Sequence, residues 1–341
     1  MDRRKALKIA GISTLATIGS FRLFRSILLE VGLDLVKETR TKMGTLVTVS
    51  VIHKDTDVAK SVIEDVFLEI DRLEDLFSRY REGTPVHLLN SEGVLVGPPQ
   101  EFLELLEHAL GIETLTGGAF DVTVAPLLDL YSKSFAEKGE SPSEVEIESA
   151  LRLVGSRSIY FEQKQIAFRR EGMSISFDGI AKGYIVDQAA KIIRGAGVKR
   201  GLIDAGGDMV ALGEDLLGKD WRVAIQHPRN PGDYLSVINL RNVAVATSGD
   251  YVQYLTEDLV LHHIIDPRLG TSPGHTSSVS VIAPSATDAD ALSTAVLVLG
   301  PKEGIKLLNE LPGVEGVLVT KDQEVIRTDG FSSYEVNVKL S

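Results

Sequence analysis

Apolar residues recur at helical spacing from Asp57 to Phe77, where Val58, Val62, Val66, Ile70, Leu73 and Phe77 mark one face. That period predicts a long amphipathic helix. Just before it, Leu46 to Ile52 alternates and predicts a strand. Pro98-Pro99 opens a second helix that runs to about Thr114, with proline in its first positions. Gly117-Gly118 breaks it, and Ser141-Pro142-Ser143-Glu144 starts another that reaches about Val154. Short strands are predicted at 158–161, 165–168 and 174–177, then a helix over about 179–195. Further strands fall at 201–204, 208–212, 221–226, 235–239, 243–247, 260–265 and 278–283. Helices at 287–299 and 302–311 precede closing strands at 315–319 and 324–328. Helices lie early and late, with hairpin-like strands between them. The pattern is α+β, mostly antiparallel strands with flanking helices, and not a doubly wound parallel sheet. No repeat or low-complexity linker divides the chain, so residues 31–341 are expected to form one composite domain.

The segment Ser174–Asp187, SISFDGIAKGYIVD, carries the densest chemical signal. It begins as an alternating strand, turns at Asp178-Gly179 and continues as a helix. Free backbone N–H groups and the positive end of the helix dipole converge at such a turn and favour an anion. Lys182 stands in the first turn, where a cation opposes the dipole unless an anion sits nearby.

Composition narrows the partners. The apolar and charged fractions, 43% and 25%, are those of an ordinary globular protein. The formal charge is −12, yet residues 1–25 hold six basic side chains and one acid, which leaves −17 on the remainder. A body that acidic has no general affinity for nucleic acid. A phosphorylated ligand would have to be held by helix N-termini, a few placed cations or a metal. The absence of cysteine excludes disulfides, thiolate metal sites and a cysteine nucleophile.

The N-terminus reads as a targeting segment. Asp2-Arg3-Arg4-Lys5 is a basic region followed by an apolar, small-residue stretch from Ile9 to Phe21. Arg3-Arg4 loosely resembles a twin-arginine export signal, although Ala6 stands where an aromatic is usual. Residues 1–30 are therefore expected to be an export signal or membrane anchor. The protein would then be exported, to the periplasm or the outer face of the cytoplasmic membrane. The alternative is an ordinary amphipathic first helix.

Several constellations could carry chemistry. Gly117-Gly118-Ala119-Phe120-Asp121, which leads into a short helix, Asp204-Ala205-Gly206-Gly207-Asp208 and Thr247-Ser248-Gly249-Asp250 each let backbone approach a ligand closely. Paired-glycine turns are often purely structural, but three flanked by Asp or Ser suit a large polar ligand. Asp290 and Thr294 are i, i+4 on one helix face, an oxygen-only half-site suited to magnesium. Capping accounts for Asp288 but less well for the deeper Asp290 and Thr294. His263, at the end of an apolar strand and before Asp266-Pro267, is either structural or a general base. Tyr80 could stack on a planar ring or pack against its own helix end.

Taken together these segments resemble the FAD:protein FMN transferase, or ApbE, family. The matching pieces are Met43-Gly44-Thr45, Ser78-Arg79-Tyr80 with Leu89-Asn90, Gly118 to Thr123, Asp178 to Asp187, Asp204 to Asp208, Thr247 to Tyr251, His263 to Pro267 with Gly270, and Asp290 to Thr294. They run in order from about residue 38 to 310. The resemblance implies an enzyme that uses FAD as substrate and Mg²⁺ as cofactor. It would transfer FMN to a Thr or Ser hydroxyl of an acceptor flavoprotein, a membrane or secreted redox protein, and release AMP. It also implies that Met43, Tyr80, Gly118, Ala119, Phe120, Asp121, Ser176, Lys182 and Ile265 line the FAD site. Asp290, Thr294 and the Gly179 carbonyl would hold the metal, and His263 would be the base. One departure falls in the opening turn. The family's Asp, apolar residue and Gly stand here as Ser176, Phe177 and Asp178, so a carboxylate appears two residues later, to contact FAD or to cap the helix. An Mg²⁺-dependent FAD pyrophosphatase and a non-catalytic flavin-binding protein remain the competing readings.

Overall fold

The computed structural model describes residues 32–336. The expected signal or anchor at 1–30 lies outside the described residues. Among the described residues no helix is long and apolar enough to cross a membrane.

The centre is an eight-stranded sheet in the order β1-β2-β6-β7-β10-β11-β12-β13. Its strands are β1 (Asp34–Lys42), β2 (Thr45–His53), β6 (Arg200–Ala205), β7 (Asp208–Leu212), β10 (Ala244–Gly249), β11 (Thr276–Ala283), β12 (Glu315–Thr320) and β13 (Val325–Arg327). Every neighbouring pair is antiparallel. Two small sheets flank it: β3 (Val94–Val96), β5 (Gln165–Phe168) and β4 (Ile159–Glu162), and the hairpin of β8 (Trp221–Gln226) and β9 (Tyr234–Leu240). The antiparallel α+β expectation holds. β1 was not foreseen, because DLVKETRTK is a charged edge strand with exposed and half-exposed positions and no fully buried face.

Seven α-helices accompany the sheet among the described residues, and the first, sixth and seventh pack against its strands. The seven are α1 (Thr56–Phe77), α2 (Pro85–Glu92), α3 (Gln100–Thr116), α4 (Ala125–Glu137), α5 (Glu144–Leu151), α6 (Ala181–Gly195) and α7 (Ala286–Glu310). The predicted stripe of α1 is buried through Val62, Val66, Ile70, Leu73 and Phe77. In α7, Gly300 at φ 81° and Pro301 interrupt the helix, so the two helices predicted there are the two limbs of one kinked element. Gly300 is required, since a Cβ there would lie 2.8 Å from the His275 ring.

Two predicted strands do not form. Residues 174–177 are extended but belong to no sheet. Their backbone is pinned instead by the Asn90 side chain, whose Nδ2 donates to Ile175 O (2.9 Å) and whose Oδ1 accepts Ile175 N–H (2.8 Å). Ser176 N–H then donates to Val122 O at 2.8 Å. One amide side chain thus replaces a strand partner. Phe177 anchors the segment in the core, edge-on to Phe77 and Phe102 at 5.7 and 5.3 Å. Residues 260–265 likewise form a loop, because their partner is the irregular stretch 253–255 rather than a sheet edge.

Candidate active site

Antiparallel pairing brings the ends of several strands to one edge of the sheet. The β1–β2 turn, the β6–β7 turn, the end of β10 and the start of β11 all fall there. Thr45 presses on Gly206, where a Cβ would lie 2.3 Å from the Thr45 hydroxyl. Only glycine allows that approach. Met43 occupies the β1–β2 turn at φ 50°, and its N–H donates to Glu74 Oε2 at 3.1 Å.

Helices α6 and α7 meet over this edge. Gly183 makes the contact close: a Cβ there would sit 2.2 Å from Ala286 O and 2.8 Å from Asp290 Cβ. Its N–H donates to Asp290 Oδ2 at 2.9 Å. In return Asp187 of α6 accepts the Ala286 and Thr287 N–H groups, each at 2.9 Å, and the Thr287 hydroxyl. The orphan donors of the α7 N-terminus are satisfied by another helix. Ser285 is the N-cap proper and accepts Asp288 N–H at 3.1 Å, so Asp288 is a capping-turn residue as expected.

Beneath this crossing Lys182 Nζ lies 3.2 Å from Asp208 Oδ2. Asp208 is 1% exposed and Asp290 5%. Burial pushes both carboxyls above the usual range, and Asp208 pushes Asp290 further up. Burial opposes the charge on Lys182, but Asp208 and Asp290 outweigh it, so Lys182 stays a cation. The cation in the first turn of α6 is thus balanced from inside the protein. The nearby anion that the Lys182 position calls for is supplied by Asp208, 26 residues on in the chain. The remaining signal, Asp204-Ala205-Gly206-Gly207-Asp208, was read only as a close-approach turn.

Thr294 lies one turn beyond Asp290, and its hydroxyl is 3.0 Å from Ser248 Oγ. A Cβ built on Gly179 would be 3.4 Å from Thr294 Oγ1 and 3.3 Å from the Phe120 ring. The structure therefore joins Phe120, Gly179, Thr294, Asp290 and Lys182. Among the described residues no three His, Asp or Glu side chains converge as a metal site. A mixed set of one carboxylate, one hydroxyl and one carbonyl is all-oxygen, and these donors fit magnesium. The buried Asp208, whose Oδ2 pairs with Lys182, lies beside them.

The turn departs from expectation in two ways. Helix α6 begins at Ala181 with Ile180 as a cap that offers no side-chain bond, so Asp178 does not cap it. Asp178 instead accepts the Tyr80 hydroxyl at 2.9 Å. The Tyr80 ring is 75% exposed, with the Arg79 guanidinium 5.3 Å from its centroid, and one face remains free to stack. Ser176 is buried, and its Oγ accepts Asp178 N–H at 3.1 Å.

Other predicted residues are structural in their side chains. Asp121 Oδ1 accepts both the N–H and the hydroxyl of Thr123, at 2.8 and 2.6 Å, and Oδ2 accepts Ser156 N–H at 3.2 Å. Its carboxylate thus caps the short turn that starts at Val122 and holds Ser156. Ala119 is buried, and Gly118 at φ 81° turns the chain beside the Arg268 side chain. Ile265 packs with Leu127, Tyr131 and Ala150 in a satellite core.

His263 is half-buried on the loop that follows β10. Its Nδ1 is 2.8 Å from Gln253 O, which fixes the proton on Nδ1 and leaves Nε2 with its lone pair. Burial pulls its pKa below 6.5, with Lys182 adding to the effect against the Gln253 bond. The neighbouring His262 is wholly buried and pushed down to about 4, first by burial, and stays neutral.

Comparison with known proteins agrees with this geometry. The sequence matches the ApbE family over residues 43–318. It is 30% identical over 310 residues to the FAD:protein FMN transferase of Treponema pallidum, covering 84% of this chain and 85% of that one. The ApbE protein of Thermotoga maritima superposes with a TM-score of 0.82 at 31% identity, over 89% of this chain and all of that one. The apo flavinyl transferase ApbE of Pseudomonas stutzeri gives 0.77 at 27% identity, over 89% and 98%. The family match and these relatives place the chain among the flavin transferases. The chain belongs to the ApbE family.

Proposed function

We propose that this enzyme transfers FMN from FAD to a Thr or Ser hydroxyl of an acceptor flavoprotein and releases AMP, with Mg²⁺ as cofactor. Family membership supports flavin transfer. The observation that carries the site is the meeting of Gly179, Thr294 and Phe120 beside Lys182, Asp208 and Asp290.

Asp290, Thr294 and the Gly179 carbonyl would hold the metal, which when bound neutralises charge on the pyrophosphate oxygens. Lys182 supplies a fixed cation to the same anion. Tyr80 offers its exposed face to a ring of the dinucleotide. His263 Nε2 takes the proton from the acceptor hydroxyl. The acceptor oxygen bonds to the phosphorus that carries riboflavin, and the bond from that phosphorus to the bridging oxygen breaks. AMP leaves with that oxygen. Positioning and charge neutralisation suffice for such a transfer, and no covalent enzyme intermediate is needed.

The acceptor is a membrane or secreted redox protein on this reading. Export to the periplasm or to the outer face of the membrane is supported by the basic and apolar character of residues 1–30. The test incubates the chain with FAD, Mg²⁺ and an apo-flavoprotein encoded beside its gene. Covalent flavin on the denatured acceptor supports transfer. AMP and free FMN without labelled protein point to a pyrophosphatase, and tightly bound unchanged FAD points to a carrier.

A further inference from the structure

After β10 the chain leaves the sheet at Asp250 and returns through 251–263 as an irregular hairpin that carries His263. Its arms are joined by Leu255 N–H to Leu261 O (2.8 Å) and His263 N–H to Gln253 O (3.0 Å). Val252, Gln253 and Tyr254 are exposed, so the hairpin has little core of its own. Such a segment opens easily unless it is tied to the body.

The tie is ionic. Asp250 is completely buried and accepts Arg229 through both oxygens, at 2.7 and 2.6 Å. Arg229, from the β8–β9 connection, also donates to Ser277 Oγ at 2.7 Å, and that hydroxyl donates to Thr320 O at 3.1 Å. The Arg229–Asp250 pair is therefore complete in charge and geometry. Yet a second cation, Lys321 at the end of β12, reaches the same Asp250 Oδ2 at 2.6 Å. Neutralising one carboxylate needs only one cation. What Lys321 adds is its other bond, to Leu259 O at 2.7 Å in the turn between the arms of the hairpin. Leu259 holds φ 59°, a left-handed conformation that a leucine keeps only when its surroundings enforce it.

We propose that Lys321, seated on the Arg229–Asp250 pair, anchors the hairpin and is a positioning residue for His263 in the transfer step. The inference rests on the flavin-transfer reading only for its catalytic consequence.

Lys321→Met removes one charge from a net-positive triad and leaves a neutral pair, so the fold is spared. Three quantities are compared in the full chain: amide exchange of Leu255 and His263, the Kd for FAD with Mg²⁺, and the rate of covalent transfer in the assay above. Lys321→Met is expected to speed exchange of both amides about 10-fold, since their bonds close the hairpin. It should slow transfer about 10-fold with the FAD Kd within about twofold, the mark of a lost transition-state contribution. Lys321→Arg, which keeps a cation in reach of Leu259 O, should restore both. Lys321→Gln gives the same comparison if Lys321→Met does not fold. Unchanged exchange overturns the anchor even if the chain proves not to be a transferase. A loss of FAD affinity that parallels the loss of rate overturns the assignment to the His263 step.

Discussion

The Gly183 N–H donates to Asp290 Oδ2 at 2.9 Å, tying the first turn of α6 to the face of α7 that carries Thr294. The bond exists because Gly183 has no side chain. A methyl group there would meet the Ala286 carbonyl oxygen at 2.2 Å, and that oxygen belongs to backbone that cannot rotate away. Gly183→Ala should force the helices apart at a cost of about 3 kcal/mol, the upper range for overpacking a core. Urea unfolding reads this directly, and FAD affinity should fall with it.

Removal of divalent metal by EDTA should abolish turnover rather than merely weaken FAD binding, and added Mg²⁺ should restore it. Asp290→Asn should lower the transfer rate by about 10³-fold, the scale of several kcal/mol of charge stabilisation. A variant that keeps full metal-dependent activity would remove Asp290 from the ligand set.

His263 sets the expected pH profile. Burial holds its pKa below 6.5. A base must be neutral to act, so transfer should fall as pH drops through that depressed value and should be flat from about pH 7 upward. His263→Ala should slow transfer by about 10²-fold and remove the acid limb while FAD stays bound. Loss of FAD binding instead would make His263 a binding residue.

A second pH effect concerns stability. His108 Nε2 and Asp288 Oδ1 are 2.9 Å apart, linking α3 to the first turn of α7. The bond to Asp288 raises the His108 pKa above 6.5, and the bond to His108 lowers that of Asp288 below 3.8. The histidine's contribution is full below its unfolded pKa and is lost as pH rises through the raised folded value. The aspartate's contribution is present above its unfolded pKa and is lost as pH falls through the lowered one. The pair therefore stabilises most between about pH 4 and 6.5. Because both groups are partly exposed, His108→Gln should cost only about 0.5 kcal/mol at pH 5.5 and still less at pH 8.5. Thermal melts at the two pH values check it.

Much of this was legible in the sequence, and the exceptions have a common cause. The stripe of α1 and the i, i+4 placement of Asp290 and Thr294 depend on period alone, and they appear as read. Residues 174–177 carry the period of a strand but find Asn90 in place of one, and no local pattern states which partner a backbone will meet. β1 lacks the alternation because it lies at an edge. Asp208 acts on Lys182 and Asp187 on Ala286 and Thr287, partners outside any local window, so their roles appear only in the folded chain. The hydrogen bonds that Asp121 accepts from Thr123 and Ser156 are likewise set by tertiary placement and have no signature in the local pattern.

Phe120 and Thr294 both close on Gly179, so that three widely separated stretches of chain converge there. No fragment, and no partly folded molecule, can own half of that junction. A ligand seated there would therefore stabilise only the fully assembled chain, by about 2.7 kcal/mol at a concentration 100 times Kd.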